Sequence, residues 1–329
     1  MIRPALRGED FALRWAEEAQ SRSTTAGQDS ETWMLAWVLH KNDASDYENG
    51  RLLEEAAAMG VELRLVRPGD VDLLVARKGR KSVRLNGDET PLPDVFLPRT
   101  GSGTTYFALA VCRHIERLGV LTLNRAEAID CVKDKLFCHQ VLTASNLPVP
   151  DTMLAKHPID VDLVEQAIGF PCVVKPLTGS HGKGIFMADS KDGFRDVMEF
   201  ISSSAPSANL IIQQFISAAP GRDLRVFVVG GRPIACMQRI ATDGSFKTNY
   251  SRGARVENYE MTDEIEWLST EASRAVGLDI AGVDLLFDEG GHFRICEVNS
   301  APQFRGMESL GEVNVARQIL QFCRIRLGV

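Results

Sequence analysis

"DLLFDEGGHFRICEVNS", residues 284–300, decides how the C-terminal part of the chain is read. Two apolar runs flank an acidic, glycine-rich turn, the pattern of a β-hairpin. Asp284, Glu297 and Asn299 interrupt those runs with oxygen-bearing side chains, at positions where a sheet usually holds Val or Ile. With the turn centred on Glu289-Gly290, residues 288 and 291 pair and Asp284 lies opposite Ile295. Side chains alternate between faces, so this register projects Asp284, Glu297 and Asn299 to one side, with Leu286 and Ile295 beside them. Two carboxylates and an amide oxygen suit a hard cation shared with phosphate oxygens, as magnesium is. The plainer alternative is an edge hairpin with ordinary solvated residues, and the apolar neighbours speak against it. A slip of one residue in the turn would send the carboxylates to opposite faces.

The 329 residues exceed one typical core, so two or three domains are expected. With 44% apolar and 25% charged residues, the composition is that of a soluble globular protein. The sequence holds no apolar stretch long enough to span a bilayer, and its N-terminus lacks the pattern of a signal peptide. A cytoplasmic setting without membrane contact is therefore expected. The net charge of −7 argues against a nucleic-acid partner. Seven scattered cysteines without a C-x-x-C pair read as reduced core thiols rather than a disulfide framework or zinc site.

Residues 1–31 read as a polar, flexible arm. From residue 32 to about 130, apolar strand-like runs alternate with helical patterns such as "YENGRLLEEAAAMG" and "TTYFALAVCRHIERLG", with a small hairpin turning at Asn86-Gly87. That alternation predicts an α/β domain with a mainly parallel sheet. Residues 131–208 read as a central subdomain: helix "KDKLFCHQVLTASN", strand "PCVVKPL", a glycine loop, strand "IFMADS" and a helix. Residues 209–329 read as an antiparallel C-terminal subdomain beginning with "LIIQQFI", "DLRVFVVGG" and "RPIACMQRIA". Its helix "TDEIEWLSTEASRAVGL" is expected to start at Asp263 as N-cap, with Glu266 reaching back.

The loop "GSHGKG", 179–184, fits neither familiar phosphate motif. A Walker A loop needs four residues before Gly-Lys, and a dinucleotide fingerprint needs a following helix, whereas "IFMAD" looks like a strand. What remains is a strand–loop–strand hairpin whose glycines allow backbone N–H groups to fold over phosphates, or simply a tight hairpin. Lys175 favours the first reading, because a lysine set in the apolar strand "VVKP" needs an anionic partner or an exposed edge.

In this order, "FLPRTGSGTTYFALAVCRHIERLGVLTLN", "DKL", "VVKPLTGSHGKGI", "IIQQFI", "GRDLRVFVVGG", "GSFKTN", "AGVDLL" and "CEVNSAP" resemble the ATP-grasp superfamily, in particular its RimK-type amino-acid ligases, over nearly all of residues 32–329. The resemblance implies an ATP-grasp fold of α/β and α+β parts behind an N-terminal parallel-sheet α/β (pre-ATP-grasp) domain. It implies that Lys135 and Lys175 reach the phosphates and that Gly179, Gly182 and Gly184 form a lid. Gln214, Phe215 and Ile216 match the adenine hinge, although the family often has an acidic residue where Gln214 stands. Asp223 matches the ribose ligand, Lys247, Thr248 and Asn249 a segment near the phosphates, and Asp284, Glu297 and Asn299 the ligands of one or two Mg2+ ions, a role open to Mn2+.

The implied chemistry is an ATP-dependent carboxylate–amine ligation. ATP phosphorylates a carboxylate, an amine attacks the acylphosphate, and phosphate leaves as an amide forms. Phosphoryl transfer needs positioning and charge neutralisation rather than a nucleophilic side chain. Arg239 is the candidate for steadying the acylphosphate, and Arg252 and Arg305 are candidates for substrate carboxylates. The added amino acid is expected to be glutamate or one similar to it, and the acceptor a small molecule, peptide or protein. Two other readings stay open: a ligase cross-linking side chains of a precursor peptide, and a non-catalytic ATP-binding regulator. "NSAPQF" departs from the family's usual Asn-x-x-Pro-Gly at Gln303, which leaves the acceptor open. Homo-oligomers occur in the family, and no stretch here specifies one.

Overall fold

The computed structural model describes residues 34–41, 44–75, 82–101, 104–155, 158–177, 184–205, 208–243 and 253–329. The first part contains β1 (Met34–Leu39), α1 (Tyr47–Ala58), β2 (Val61–Val66), β3 (Val71–Leu73), β4 (Val83–Leu85), β5 (Asp88–Glu89), β6 (Val95–Pro98), α2 (Tyr106–Arg117), β7 (Leu121–Thr122) and α3 (Ala126–Lys133). The middle contains α4 (Lys135–Ala144), β8 (Thr152–Ala155), α5 (Val161–Ala167), β9 (Cys172–Pro176), β10 (Phe186–Ala188), α6 (Lys191–Ser204) and β11 (Leu210–Gln214). The last part contains β12 (Arg222–Val229), β13 (Arg232–Ile240), β14 (Arg255–Asn258), α7 (Asp263–Ala275), β15 (Ile280–Phe287), β16 (Phe293–Asn299), α8 (Arg305–Glu308) and α9 (Val315–Leu327).

The N-terminal sheet runs β2-β1-β6-β7, with every pairing parallel. β1, "MLAWVL", is buried along its whole length, as expected of a central parallel strand covered on both faces. Its alternation divides two cores. Met34, Ala36 and Val38 face Leu52 and Ala56 of α1 and Ile319, Leu320 and Cys323 of α9. Leu35, Trp37 and Leu39 face Val111, Cys112 and Ile115 of α2. The β4–β5 hairpin turns at Asn86 and Gly87, both at positive φ (52° and 86°), as a tight hairpin of this hand requires.

The central sheet, β10-β9-β11-β8, is antiparallel and packs Cys172, Val174, Leu210 and Ile212 against Phe194, Met198 and Ile201 of α6. "LIIQQ" thus pairs with β9 and β8, not with β12 as its position in the sequence suggests. The larger antiparallel sheet, β14-β13-β12-β15-β16, buries Leu224, Val226, Val283, Leu285, Ile295 and Val298 under Ile265, Leu268 and Ala272 of α7. The opposite parity on β12 leaves Asp223 and Arg225 on the other face, where Phe227 and Val229 continue into the core shared with α9.

Two helix starts differ from the sequence reading. Thr262, not Asp263, caps α7 by accepting the Ile265 N–H (3.4 Å), so Asp263 falls in the first turn and adds an acidic charge at the positive helix end. The segment read as one helix from Lys133 breaks at Asp134, whose carboxylate accepts the Leu136 and Phe137 N–H groups (2.9 and 3.0 Å) and starts α4 afresh at Lys135. Six of the seven cysteines are buried free thiols and Cys296 is half-buried. Among the described residues no helix is long and apolar enough to cross a membrane. Residues 1–31 lie outside the described residues.

Asn124, just past β7, joins the first and last parts. Its amide nitrogen donates to the carbonyls of Ile280 (2.7 Å) and Ser300 (2.8 Å), and its oxygen accepts the Ile280 N–H (2.8 Å). Asn124→Ala would leave these buried groups unpaired and is expected to lower unfolding stability by about 2–3 kcal/mol, read from urea denaturation.

Candidate active site

The hairpin that opens the sequence reading forms from β15 and β16, but its register differs from the expected one in two places. The turn is a short helical bend over Glu289–Gly291 with Gly290 at φ 72°, and it is closed by Asp288 N–H donating to the His292 carbonyl (2.8 Å). Phe287 pairs with Phe293, Leu286 with Arg294 and Leu285 with Ile295. This is the one-residue slip that separates the carboxylates. A register shift between Asp284 and Leu285 then accommodates Cys296 as an extra residue, so that Asp284 pairs directly with Glu297 and Gly282 with Asn299. The bulge cancels the slip and returns Asp284, Glu297 and Asn299 to one face. Ile295 is a correction: it pairs with Leu285 in the core under α7 and does not lie beside the oxygens.

Across the sheet, the same face carries a ladder of charges set by strand pairing. Asp284 is opposed by Arg225 on β12, and Asp223 by Arg239 on β13. Arg225 grips both Asp284 oxygens, with Nη2 donating to Oδ2 at 2.8 Å. Arg239 donates through Nε and Nη2 to Asp223 (2.7 and 2.6 Å), and its Nη2 lies 3.1 Å from Asp284 Oδ2. Asp223, Arg239 and Asp284 are all buried. Burial alone would raise the Asp284 carboxyl, but Arg225 and Arg239 hold it below its ordinary value. Burial works against the Arg239 cation too, and Asp223 and Asp284 reverse this and raise it.

Gly282 has no room for a side chain, because a Cβ there would lie 2.6 Å from Pro302 Cβ and 3.2 Å from Arg225 Cδ. The loop after Asn299 is therefore pressed onto the ladder. Arg99 holds that loop from the N-terminal domain: its Nη2 donates to the Pro302 carbonyl (2.8 Å), and its guanidinium lies over Phe304.

Two lysines reach the bulge from the central part. Lys135, at the first turn of α4, places Nζ 3.7 Å from Glu297 Oε1. Lys175 shares a face with Val173, Gln213 and Thr152, because Ile211 pairs with Lys175, while Gln213 pairs with both Val173 and Thr152. This face is opposite the Cys172, Val174, Leu210 and Ile212 core. Lys175 Nζ donates to Gln213 Oε1 (2.5 Å) and lies 4.0 Å from Cys296 Sγ. Gln213 passes its amide hydrogen to Thr152 Oγ1 (2.9 Å), which is 3.2 Å from His139 Nδ1, and His139 Nε2 is 3.1 Å from the Cys296 carbonyl. Burial lowers the His139 pKa, the bond to the Cys296 carbonyl works against this, and the two lysines add to the lowering.

Other candidates fall as follows. The Gln214 N–H donates to the Asp151 carbonyl (2.9 Å), and Phe215 and Ile216 follow it, half-buried, after β11. Gly184 takes φ 70° beside Pro176. Arg305 is exposed at the start of α8, over the Tyr47 ring, with its backbone N–H on Glu48 (3.2 Å). Gly179, Gly182, Lys247, Thr248, Asn249 and Arg252 lie outside the described residues. Sequence reasoning missed Arg225, though "DLR" puts it two residues from Asp223 on the same strand face. It also missed His139, one helical turn after Lys135, and Gln213, which lay beside the residue chosen.

Among the described residues, no three His, Cys, Asp or Glu side chains form a metal cage. The oxygens do fit an ion that completes its shell with phosphates. Asp284 accepts three close donors and a carboxylate has about four acceptor sites. Among the described residues the buried Asn299 Nδ2 has no hydrogen-bond partner, so none of them locks the amide elsewhere.

A two-domain antiparallel clasp behind a parallel sheet, with one lysine from a helix and one from a strand of the central part facing carboxylates of the larger sheet, defines the ATP-grasp class. Residues 132–323 match the family model of the RimK-like ATP-grasp domain, and residues 34–129 that of the RimK PreATP-grasp domain. The chain belongs to the RimK-like ATP-grasp family. It is 35% identical over 277 residues to a probable alpha-L-glutamate ligase 1 of Shewanella frigidimarina, covering 84% of this chain and 91% of that one. A probable alpha-L-glutamate ligase of Legionella pneumophila is 33% identical over the same shares. Among solved structures, the ATP-grasp ligase PsnB complexed with a minimal precursor variant, Mg and ADP superposes with a TM-score of 0.70 at 21% identity, over 89% of this chain and 98% of that one. A RimK domain protein from Sphaerobacter thermophilus gives 0.68 at 22%, over 87% and 98%. These two show the shared fold.

The ladder has a pH signature. Asp284 is held below its usual 3.8, so its contribution is full above that pH and is lost as pH falls through the lower folded value. Arg225→Met is expected to cost about 3 kcal/mol at neutral pH by leaving a buried carboxylate underpaired. Urea unfolding across pH should show that difference shrinking once pH drops below about 3.8.

Proposed function

We propose that the protein is an ATP-dependent carboxylate–amine ligase that joins L-glutamate, or a closely similar amino acid, to an acceptor. The observation that carries this reading is the direct opposition of Asp284 and Glu297 across the Cys296 bulge, with Lys135 and Lys175 converging on it. Opposed carboxylates beside two lysines are matched to a magnesium–polyphosphate: the acids take the metal and the lysines the remaining phosphate charge. The probable alpha-L-glutamate ligases that resemble this chain support the choice of glutamate.

Asp284, Glu297 and Asn299 would hold magnesium, which supplies charge neutralisation to the phosphates. Lys135 and Lys175 would orient those phosphates from the α4 and β9 sides, under a lid that includes Gly179, Gly182 and Gly184. Lys247, Thr248 and Asn249 would add to the phosphate contacts. Gln214, Phe215 and Ile216 would border the base. Asp223, held beside Arg239, would meet the ribose. A substrate carboxylate oxygen would attack the terminal phosphorus as ADP leaves. The acceptor's amine would then attack the acyl carbon, lose a proton and expel phosphate. Arg239, fixed by two carboxylates, would present its remaining N–H groups to the charge that develops, and Arg252 and Arg305 would meet substrate carboxylates.

ADP release across a panel of amino acids and acceptors, with mass spectrometry of products, tests the proposal. Turnover should require magnesium and both substrates, and EDTA should abolish it. Lys175→Ala and Glu297→Ala should each lower the rate by roughly 100-fold or more. Full turnover by either variant would sink the assignment.

A further inference from the structure

Lys175 and the Cys296 bulge lie on different sheets, yet one file of polar groups, buried at Gln213 and His139 and half-buried at Thr152, runs between them. Lys175 donates to Gln213, Gln213 to Thr152, and His139 bridges Thr152 and the Cys296 carbonyl. Because the Cys296 carbonyl can only accept, a neutral His139 carries its proton on Nε2 and leaves Nδ1 as an acceptor beside Thr152 Oγ1. The one hydroxyl hydrogen of Thr152 is shared between that nitrogen (3.2 Å) and the Pro150 carbonyl (2.9 Å). Gln213 is 2% exposed and His139 5%, so neither group can trade its partner for water. The same helix face that carries His139 carries Lys135, so α4 holds the bulge twice, at the Cys296 carbonyl and at the Glu297 carboxylate.

We infer that Gln213, Thr152 and His139 are positioning residues that set Lys175 and Glu297 as a pair, so that the phosphate lysine and the metal carboxylate take up Mg-nucleotide as one unit. The inference rests on the nucleotide reading above. Its consequence is coupling: disturbing the Lys175 end should alter the metal requirement, and disturbing the bulge end should alter nucleotide affinity.

Three variants separate the two ends. Gln213→Glu keeps the shape but turns the lysine's neutral partner into a competing anion. His139→Gln can still reach the Cys296 carbonyl and loses the Thr152 link. His139→Asn can keep the Thr152 link and lose the carbonyl. Calorimetry with Mg-ADP, magnesium titrations of activity and melting curves are read for each, and for the Gln213→Glu/His139→Asn double variant.

Gln213→Glu should weaken Mg-ADP by roughly 10- to 100-fold and also raise the magnesium needed for half-maximal rate. His139→Asn should raise the magnesium requirement more than His139→Gln does. The double variant should fall well short of the product of the single effects. A merely structural role would lower the melting temperature without this split, and Gln213→Met, which removes the link without adding charge, checks that the variant folds. Wild-type affinities in the folded variants, or effects that multiply independently, overturn the relay alone. Failure of the wild-type protein to bind Mg-ADP overturns the nucleotide reading, and the relay with it.

Discussion

The arrangement depends on two guanidinium groups pairing two carboxylates inside a sheet. Asp223 and Asp284 are buried on adjacent strands, where a carboxylate without a cation beside it is costly, and Arg239 and Arg225 supply those cations. The positions follow from antiparallel pairing, which sets Asp284 against Arg225 and Asp223 against Arg239 on one face. Once that ladder stands, Glu297 adds a carboxylate at its edge, where Lys135 and the half-buried Cys296 leave it accessible.

Much of the fold was legible in the sequence because alternation and capping are local. The buried run of β1, the Asn86-Gly87 turn, the glycine-closed helices and Lys175 on a half-apolar strand all followed from periodicities of about two and four residues. The site was legible only in part, because its decisive features are errors in that periodicity. Counting from the turn puts Asp284 opposite Ile295, and the expected face of oxygens then comes out right through two displacements that cancel: a longer bend at Glu289–Gly291 and the bulge at Cys296. No single-sequence count reveals a bulge, since the extra residue has no signature of its own here. Sheet membership of β11 was hidden for a different reason. Which strand an apolar run joins is settled by its partners, not by its neighbours in sequence.

The N-terminal and C-terminal sheets are not independent bodies joined by linkers. Asn124 stitches the first domain to both ends of β15–β16, and Arg99 holds the Pro302 loop that Gly282 allows to close over Arg225. Glu48 at the start of α1 accepts the backbone N–H groups of Phe304 and Arg305 (3.0 and 3.2 Å). The N-terminal domain therefore grips the loop immediately after β16 through Asn124, Arg99 and Glu48.

The packing of α9 has a consequence for how the chain is made. Ala316, Ile319, Leu320 and Cys323 cover the Met34, Ala36 and Val38 face of the first strand, nearly three hundred residues earlier. During synthesis Leu52 and Ala56 of α1 cover part of that face, and the rest stays uncovered until residues 315–327 leave the ribosome. The first domain to be translated is thus among the last to finish folding, and the nascent protein carries an adhesive apolar surface for most of its time on the ribosome.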